Sequence, residues 1–208
     1  MKIKVLIITT LFALSGILCL SQESKKIGKA EWTLKNLDVS TFRNGDSIPL
    51  VQTTEAWEKA GKDGKPACCI YENKTENGIK YGKLYNWYAV TDKRGLAPKG
   101  WHIPDYKEWK ALDDKAGGVK IAGKKIKSTT GWSDNGNGDN STGFTALPAG
   151  FRSSTGVFKS IDEYGFWWSS QNENKENGWI YFLYSKDDGS NANSVPKTAG
   201  LSVRCVKD

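Results

Sequence analysis

The sequence predicts an α+β domain built on a mainly antiparallel sheet, with two principal helices and long loops. Apolar residues recur with a period near 3.6 over 80–90 and 105–116, as on the buried stripe of a helix. From Gly131 onward the period changes to 2, in short aromatic runs separated by glycine and asparagine turns. Strands and helices also lack the βαβ alternation that a parallel sheet requires. The 208 residues, with only six prolines, suit one generous domain or two small ones. Hydrophobic residues make up 38% of the chain and there are nine tryptophans, so much ring surface that a packed interior is needed and disorder throughout is excluded. No heptad persists and the 22 glycines follow no three-residue period, which excludes a coiled coil and a collagenous fibre.

Taken in chain order, the first segment reads as an address. Lys2 and Lys4 precede the apolar run Val5 to Leu14, and small or polar residues follow near Ser21, the layout of a secretory signal peptide over 1–21. The run is too short for a stable membrane span, so no transmembrane segment is expected in the mature chain. The competing reading makes Cys19 a lipid-modified anchor, against which the bulky Leu18 stands where a small residue is the rule. Residues 22–30 are polar and expected to be flexible, with one domain over 31–208. Trp32 and Leu34 alternate as in an early strand, and Asn44-Gly45 and Pro49 mark turns. Thr53 to Lys59 suits two helical turns with Thr54 as cap and Gly61 as stop.

The first principal helix is expected over 80–90, where Tyr81, Leu84, Tyr85 and Tyr88 fall on one face. The second runs from Asp105 to Ala116, with Asp105 and Glu108 forming a capping box, Trp109, Leu112 and Ala116 facing inward, and Gly117-Gly118 ending it. Strands are expected at Phe144 to Leu147, Gly165 to Ser170, Trp179 to Tyr184 and Leu201 to Val206. The run Trp179 to Tyr184 is apolar on both faces and reads as central. Leu201, Val203 and Cys205 alternate with Ser202 and Arg204, as on a half-exposed strand.

Charge narrows the partners. The net charge of +7 falls to +5 once Lys2 and Lys4 leave with residues 1–21. The nearest thing to a basic patch is Lys115, Lys120, Lys124, Lys125 and Lys127, with no arginine to fork onto phosphate, so it reads as a solvated surface and no nucleic-acid partner is expected. Of the mature cysteines Cys68, Cys69 and Cys205, an oxidising compartment pairs two and leaves one over. A metal site is the alternative, but adjacent cysteines cannot readily aim both sulfurs at one ion, and His102 is the only histidine.

The blocks Tyr81-Gly82-Lys83-Leu84-Tyr85-Asn86-Trp87-Tyr88, Gly100-Trp101-His102-Ile103-Pro104 and Glu108-Trp109 resemble the Fibrobacter succinogenes major paralogous domain, a family of exported proteins of Bacteroidetes and Fibrobacteres. The likeness continues through Ser128 to Trp132, Phe144 to Gly150, Tyr164 to Ser170 and Ser202 to Val206. The family has one cysteine ahead of the Tyr-Gly-Lys-Leu-Tyr block and one in the final strand, which implies a Cys69–Cys205 disulfide worth roughly 4–5 kcal/mol, with Cys68 standing where an aromatic is usual. The order of blocks is also similar, more distantly, to the formylglycine-generating, sulfatase-modifying proteins. That likeness implies a C-type-lectin-like fold whose two chain ends pair in one sheet, bringing Trp32 to Leu34 beside Leu201 to Val206.

Candidate chemistry is thin, and no enzyme is expected. His102 reads as a structural, hydrogen-bonded histidine rather than a general base. The sulfatase-modifying enzymes use a pair of reactive cysteines near the chain end, where this sequence has Cys205 alone; a metal- or thiol-dependent oxidase is the alternative activity. Asn135, Asn137, Asp139 and Ser141 recur every second residue, a spacing that suits a hard cation such as calcium; no other cofactor is expected. Trp132, Phe151, Trp168 and Trp179 are candidate stacking platforms beside the amides of Asn172 and Asn174. Arg152 and Arg204 are expected to pair with Asp or Glu. The sequence thus points to an exported, non-catalytic module at the cell surface or periplasm. It would recognise a glycan or envelope protein through loops 131–143 and 171–178, the alternative being a structural component of the envelope.

Overall fold

In the computed structural model, which describes residues 23–208, the first and last strands of the described residues lie in one sheet. Strands β1 (Ser24–Ile27) and β2 (Ala30–Thr33) form an antiparallel hairpin, with Gly28 at φ +66 making the tight turn. The 22–30 segment, expected to be flexible, contains strand β1, in which Lys25 and Lys26 are exposed and Ile27 is buried. The expected signal peptide and Cys19 lie outside the described residues.

Helix α1 (Thr54–Lys62) is capped by Thr53, one residue before the expected cap, whose hydroxyl accepts from Ala56 N at 3.2 Å. It buries Trp57 and the flat face of Gly61. Strand β3 (Cys68–Cys69) and a 3₁₀ turn at Tyr71–Asn73 follow, then α2 (Thr75–Tyr81), β4 (Leu84–Tyr85) and the one-turn α3 (Trp87–Val90). The helix expected over 80–90 is thus two short helices flanking a strand that pairs with β3. Gly82 at φ +74 ends α2, and a Cβ there would stand 2.9 Å from Leu37 O, so no side-chain-bearing helix can pass. The 3.6 period misleads because Leu84, Tyr85, Asn86 and Trp87 are all buried, which leaves no polar face to define a stripe. Asn86 caps α3 through Oδ1, which accepts from Ala89 N (3.0 Å) and also from Ala67 N (3.0 Å), while its Nδ2 donates to Lys65 O (2.8 Å).

Strand β5 (Trp101–His102) leads into α4 (Tyr106–Ala116), where the Asp105/Glu108 capping box forms, the three expected apolar residues are buried, and Gly117 at φ +104 terminates the helix. After α5 (Ala122–Ile126) the chain becomes sheet: β6 (Ala149–Arg152), β7 (Phe158–Ile161), β8 (Tyr164–Asn172), β9 (Asn177–Tyr184), β10 (Asn191–Pro196) and β11 (Val206–Lys207). The late strands stack in the order β10-β9-β8-β6-β7, antiparallel except for β6 beside β8, so β9 has partners on both edges. A second sheet runs β1-β2-β11-β5, with Val206 opposite both Trp32 and His102, the pairing of chain ends that the resemblance implies.

Two expected strands differ. Phe144 to Leu147 makes only one bridge, Ala146 to Lys127. Leu201 to Val206 is buried at every residue rather than half-exposed, because it threads between the two large sheets: Leu201 bridges Tyr85, Ser202 bridges Trp167, and Thr33 N donates to Cys205 O at 3.0 Å. The α4 face of the five-stranded sheet is closed by Trp109 lying flat on Tyr181 (4.4 Å between centroids, 6° between planes) and by Trp167, Trp32 and Phe144 around them.

Candidate functional site

The opposite face of the five-stranded sheet closes at one end only. The β8/β9 register places Tyr164 opposite Tyr184, Phe166 opposite Phe182 and Trp168 opposite Ile180, all pointing the same way because side chains alternate along a strand. Trp168 and Ile180 are buried in the core, whereas Tyr164, Phe166, Phe182 and Tyr184 are half-buried. These four rings form a continuous ladder: Tyr164 stacks on Tyr184 at 4.4 Å and on Phe166 at 5.2 Å, and Phe166 meets Phe182 at 5.6 Å. Phe151 of β6 extends it, edge-on to Phe166 at 5.2 Å. Where the ladder meets β10, an apolar cleft of about 300 Å³ opens, walled by Phe151, Phe166, Val195, Pro196 and Leu201 with Ser153 and Ser154 among its polar lining. An apolar concavity with few polar groups at the end of a row of accessible rings is equipped to bind the flat face of a sugar or an apolar side chain.

The sequence named only one ring of this ladder. Trp132 and Trp168, expected as platforms, are core residues: Trp132 Nε1 donates to Ser128 Oγ (3.1 Å) and Ala146 O (3.0 Å), and Trp168 Nε1 to Tyr85 O (2.8 Å). A buried indole needs such a partner, and both find it in the interior. Phe151 and Trp179 are half-buried; Trp179 lies 6.0 Å from Tyr106, away from the ladder. Asn172 and Asn174 are exposed, and Asn174 Oδ1 accepts from Glu176 N and Asn177 N, so it shapes its own turn. The signal that would have found the ladder is the pairing of two period-2 runs, Tyr164/Phe166 and Phe182/Tyr184, on one side of a hairpin.

Among the candidate calcium ligands, Asn137 Oδ1 accepts from Trp132 N (2.9 Å) and Asp139 Oδ1 from Ser141 N (2.8 Å), while Asn135 adopts φ +59 in a turn. Two of the four residues thus turn a side-chain oxygen onto the loop's own backbone. Among the described residues no group of three or more His, Cys, Asp or Glu is arranged to hold a metal ion.

Both expected arginine ion pairs are replaced by carbonyl cages. Arg204, fully buried, donates to Asn36 Oδ1 (2.7 Å), Thr33 O (2.6 Å), Phe144 O (3.2 Å) and Thr145 O (3.0 Å) and lies over the Phe144 ring. Burial pulls its pKa down to about 9, still above neutral, so it remains a cation. Arg152 likewise donates to Val51, Gln52, Thr53 and Gly156 carbonyls between the Trp57 and Phe158 rings. Planar five-donor groups can satisfy several carbonyls at once, which a carboxylate partner would prevent. Lys127 is no surface lysine either: it is fully buried, its pKa is lowered by that burial, and it donates to Tyr184 O and Asp187 O.

The expected Cys69–Cys205 disulfide is absent, and Cys68, Cys69 and Cys205 are buried free thiols. Successive residues of β3 face opposite ways, so Cys68 enters the core cluster that holds Cys205, while Cys69 enters a separate cluster with Trp57 and Tyr71. Burial pushes the Cys68 thiol up to about 11 and Cys69 and Cys205 up to about 12, away from the thiolate form that nucleophilic chemistry needs. His102 is half-exposed between two carboxylates, Nδ1 2.8 Å from Asp208 and Nε2 2.8 Å from Glu108, where it joins β11 to the α4 cap.

The fold and site therefore define an α+β domain with an aromatic sheet face. The model of the Fibrobacter succinogenes major domain matches residues 26–207, and the chain belongs to that family. Comparison with curated proteins and with solved structures finds no match.

Proposed function

We propose that this is an exported, non-catalytic binding domain of C-type-lectin-like build, acting at the cell envelope without a resident cofactor, and that it recognises a glycan through the β8/β9 aromatic ladder. The observation that supports this reading is the row of half-buried rings Tyr164, Phe166, Phe182 and Tyr184 ending in the Phe151 cleft. Sugar rings present apolar C–H faces that stack on such rings, and a rigid sheet holds the platform without the entropic cost of ordering a loop. The contact surface thus moves from the loops at 131–143 and 171–178 to the sheet face.

A panel of envelope and plant-type polysaccharides tests it by pull-down and calorimetry. Replacing Tyr164 and Tyr184 together by alanine is expected to weaken binding of the retained glycan at least about tenfold, equivalent to about 1.4 kcal/mol, with the far-ultraviolet circular dichroism unchanged. Retention of no glycan at millimolar concentration, or retention untouched by the double substitution, would remove the proposal.

A further inference from the structure

Strand β1, the end of α4, α5 and the asparagine-rich loop converge on a second cleft, of about 460 Å³. Lys25 enters from β1, with the adjacent Lys26 at the border, Lys115 from the last turn of α4 and Lys125 from α5, with Ser141 and Thr142 on the loop side and Ile27 and Ile121 among the apolar lining. No carboxylate lines it, and among the described residues none of these lysines is in an ion pair. Lys25, Lys26 and Lys115 are exposed and Lys125 is half-buried. Asp139, which is influenced by Lys124 and Lys125, is engaged by Ser141 N. Lys26 lies on the other face of β1, opposite Glu31, which leaves Lys25, Lys115 and Lys125 as three like charges around one concavity; they repel each other and concentrate anions, an arrangement that a bound polyanion relieves. The sequence shows only the 115–127 half of this patch; the fold removes Lys127 to the core and supplies Lys25 instead.

We propose that this cleft binds an anionic polysaccharide carrying sulfate or phosphate groups. A concave site with the half-buried Lys125 in its wall suits a chain segment that enters it better than a flat bilayer surface. The lining holds no aromatic ring to stack a base, which disfavours nucleic acid. Its hydroxyls and aliphatic lining suit the sugar between the charges. The site shares no residue with the aromatic ladder, so it stands or falls separately.

The test uses dextran sulfate as probe, with phosphatidylglycerol vesicles and a single-stranded oligonucleotide as competing arms. The wild-type chain should bind dextran sulfate, and the affinity should fall roughly 20-fold between about 50 and 200 mM salt for three neutralised contacts. The variant Lys25→Glu/Lys115→Glu/Lys125→Glu should lose at least about 30-fold in affinity. A control of equal charge, Lys62→Glu/Lys93→Glu/Lys99→Glu, should retain more than its cleft counterpart by at least about tenfold, both folding as judged by circular dichroism. Equal losses in the two triples would show diffuse charge and overturn the proposal. So would a wild-type chain that ignores dextran sulfate, or one that prefers the vesicles or the oligonucleotide.

Discussion

Arg204 offers the sharpest test of how this fold holds together. In Arg204→Met the aliphatic stem is replaced but the guanidinium is not, so the donors to Thr33 O, Phe144 O and Thr145 O vanish together, while Asn36 Oδ1 keeps only Trp167 Nε1 at 2.8 Å. A buried acceptor stripped of its donor costs about 1–3 kcal/mol. Three such carbonyls give about 3 kcal/mol even at the low end, a large share of the roughly 5–15 kcal/mol by which a domain is stable. One effect opposes this: methionine spares the desolvation of a guanidinium, and replacing whole buried polar clusters by apolar groups is often neutral. Here only the cation is removed and the carbonyls stay, so the loss should dominate. Urea unfolding followed by tryptophan fluorescence reads the midpoint, and Arg204→Lys, which retains charge but not the fork, should fall between the two. A loss below about 1 kcal/mol in Arg204→Met would show that the cage contributes no net stability and would refute the reasoning.

Two further outcomes follow from the titrating groups. Burial works to lower the pKa of His102, but hydrogen bonds to Glu108 and Asp208 outweigh it and leave the folded value raised. Its contribution to stability is therefore full below the ordinary histidine value near pH 6.5 and lost as pH climbs through the folded value; the urea-midpoint advantage of wild type over His102→Gln should shrink as pH rises above about 6.5, and a gap that widens instead would contradict the assignment. The three thiols, all buried and all raised in pKa, should react with a thiol reagent only on unfolding; a burst of labelling at Cys68 in the native state would argue for a reactive centre and reopen the thiol-oxidase alternative.

Local chemistry was the most legible part of the chain. Asp105 and Glu108 close a capping box because the spacing of three is itself the geometry, and Gly117 stops α4 because a left-handed cap needs no partner from elsewhere. Strand period gave β8 and β9 within a few residues. Periodicity failed at 80–90, where a segment buried on every side imitates an amphipathic stripe, and at Leu201 to Val206, where alternation suggested a solvent face that the fold covers on both sides. Both failures have one cause: period reports a contrast between faces, and a fully enclosed segment has none.

The candidate site was less legible because exposure belongs to assembled surfaces. Trp132 and Trp168 look the same in sequence as Trp179, and packing alone decides which indole is enclosed. The same holds for charge: Lys127 and Lys125 stand two apart, yet one is sealed beneath Tyr184 and Asp187 while the other lines an open cleft. What the residues determined unaided was the mixed α+β class and the caps of α4, while the family and the meeting of the chain ends came through the resemblance. Which cations and rings face solvent, and where the arginines find their acceptors, was decided only when segments more than a hundred residues apart closed on one another. Arg204 and Thr33, 171 positions apart, illustrate the reason: a hydrogen bond of that span has no local pattern, and only the folded chain can specify it.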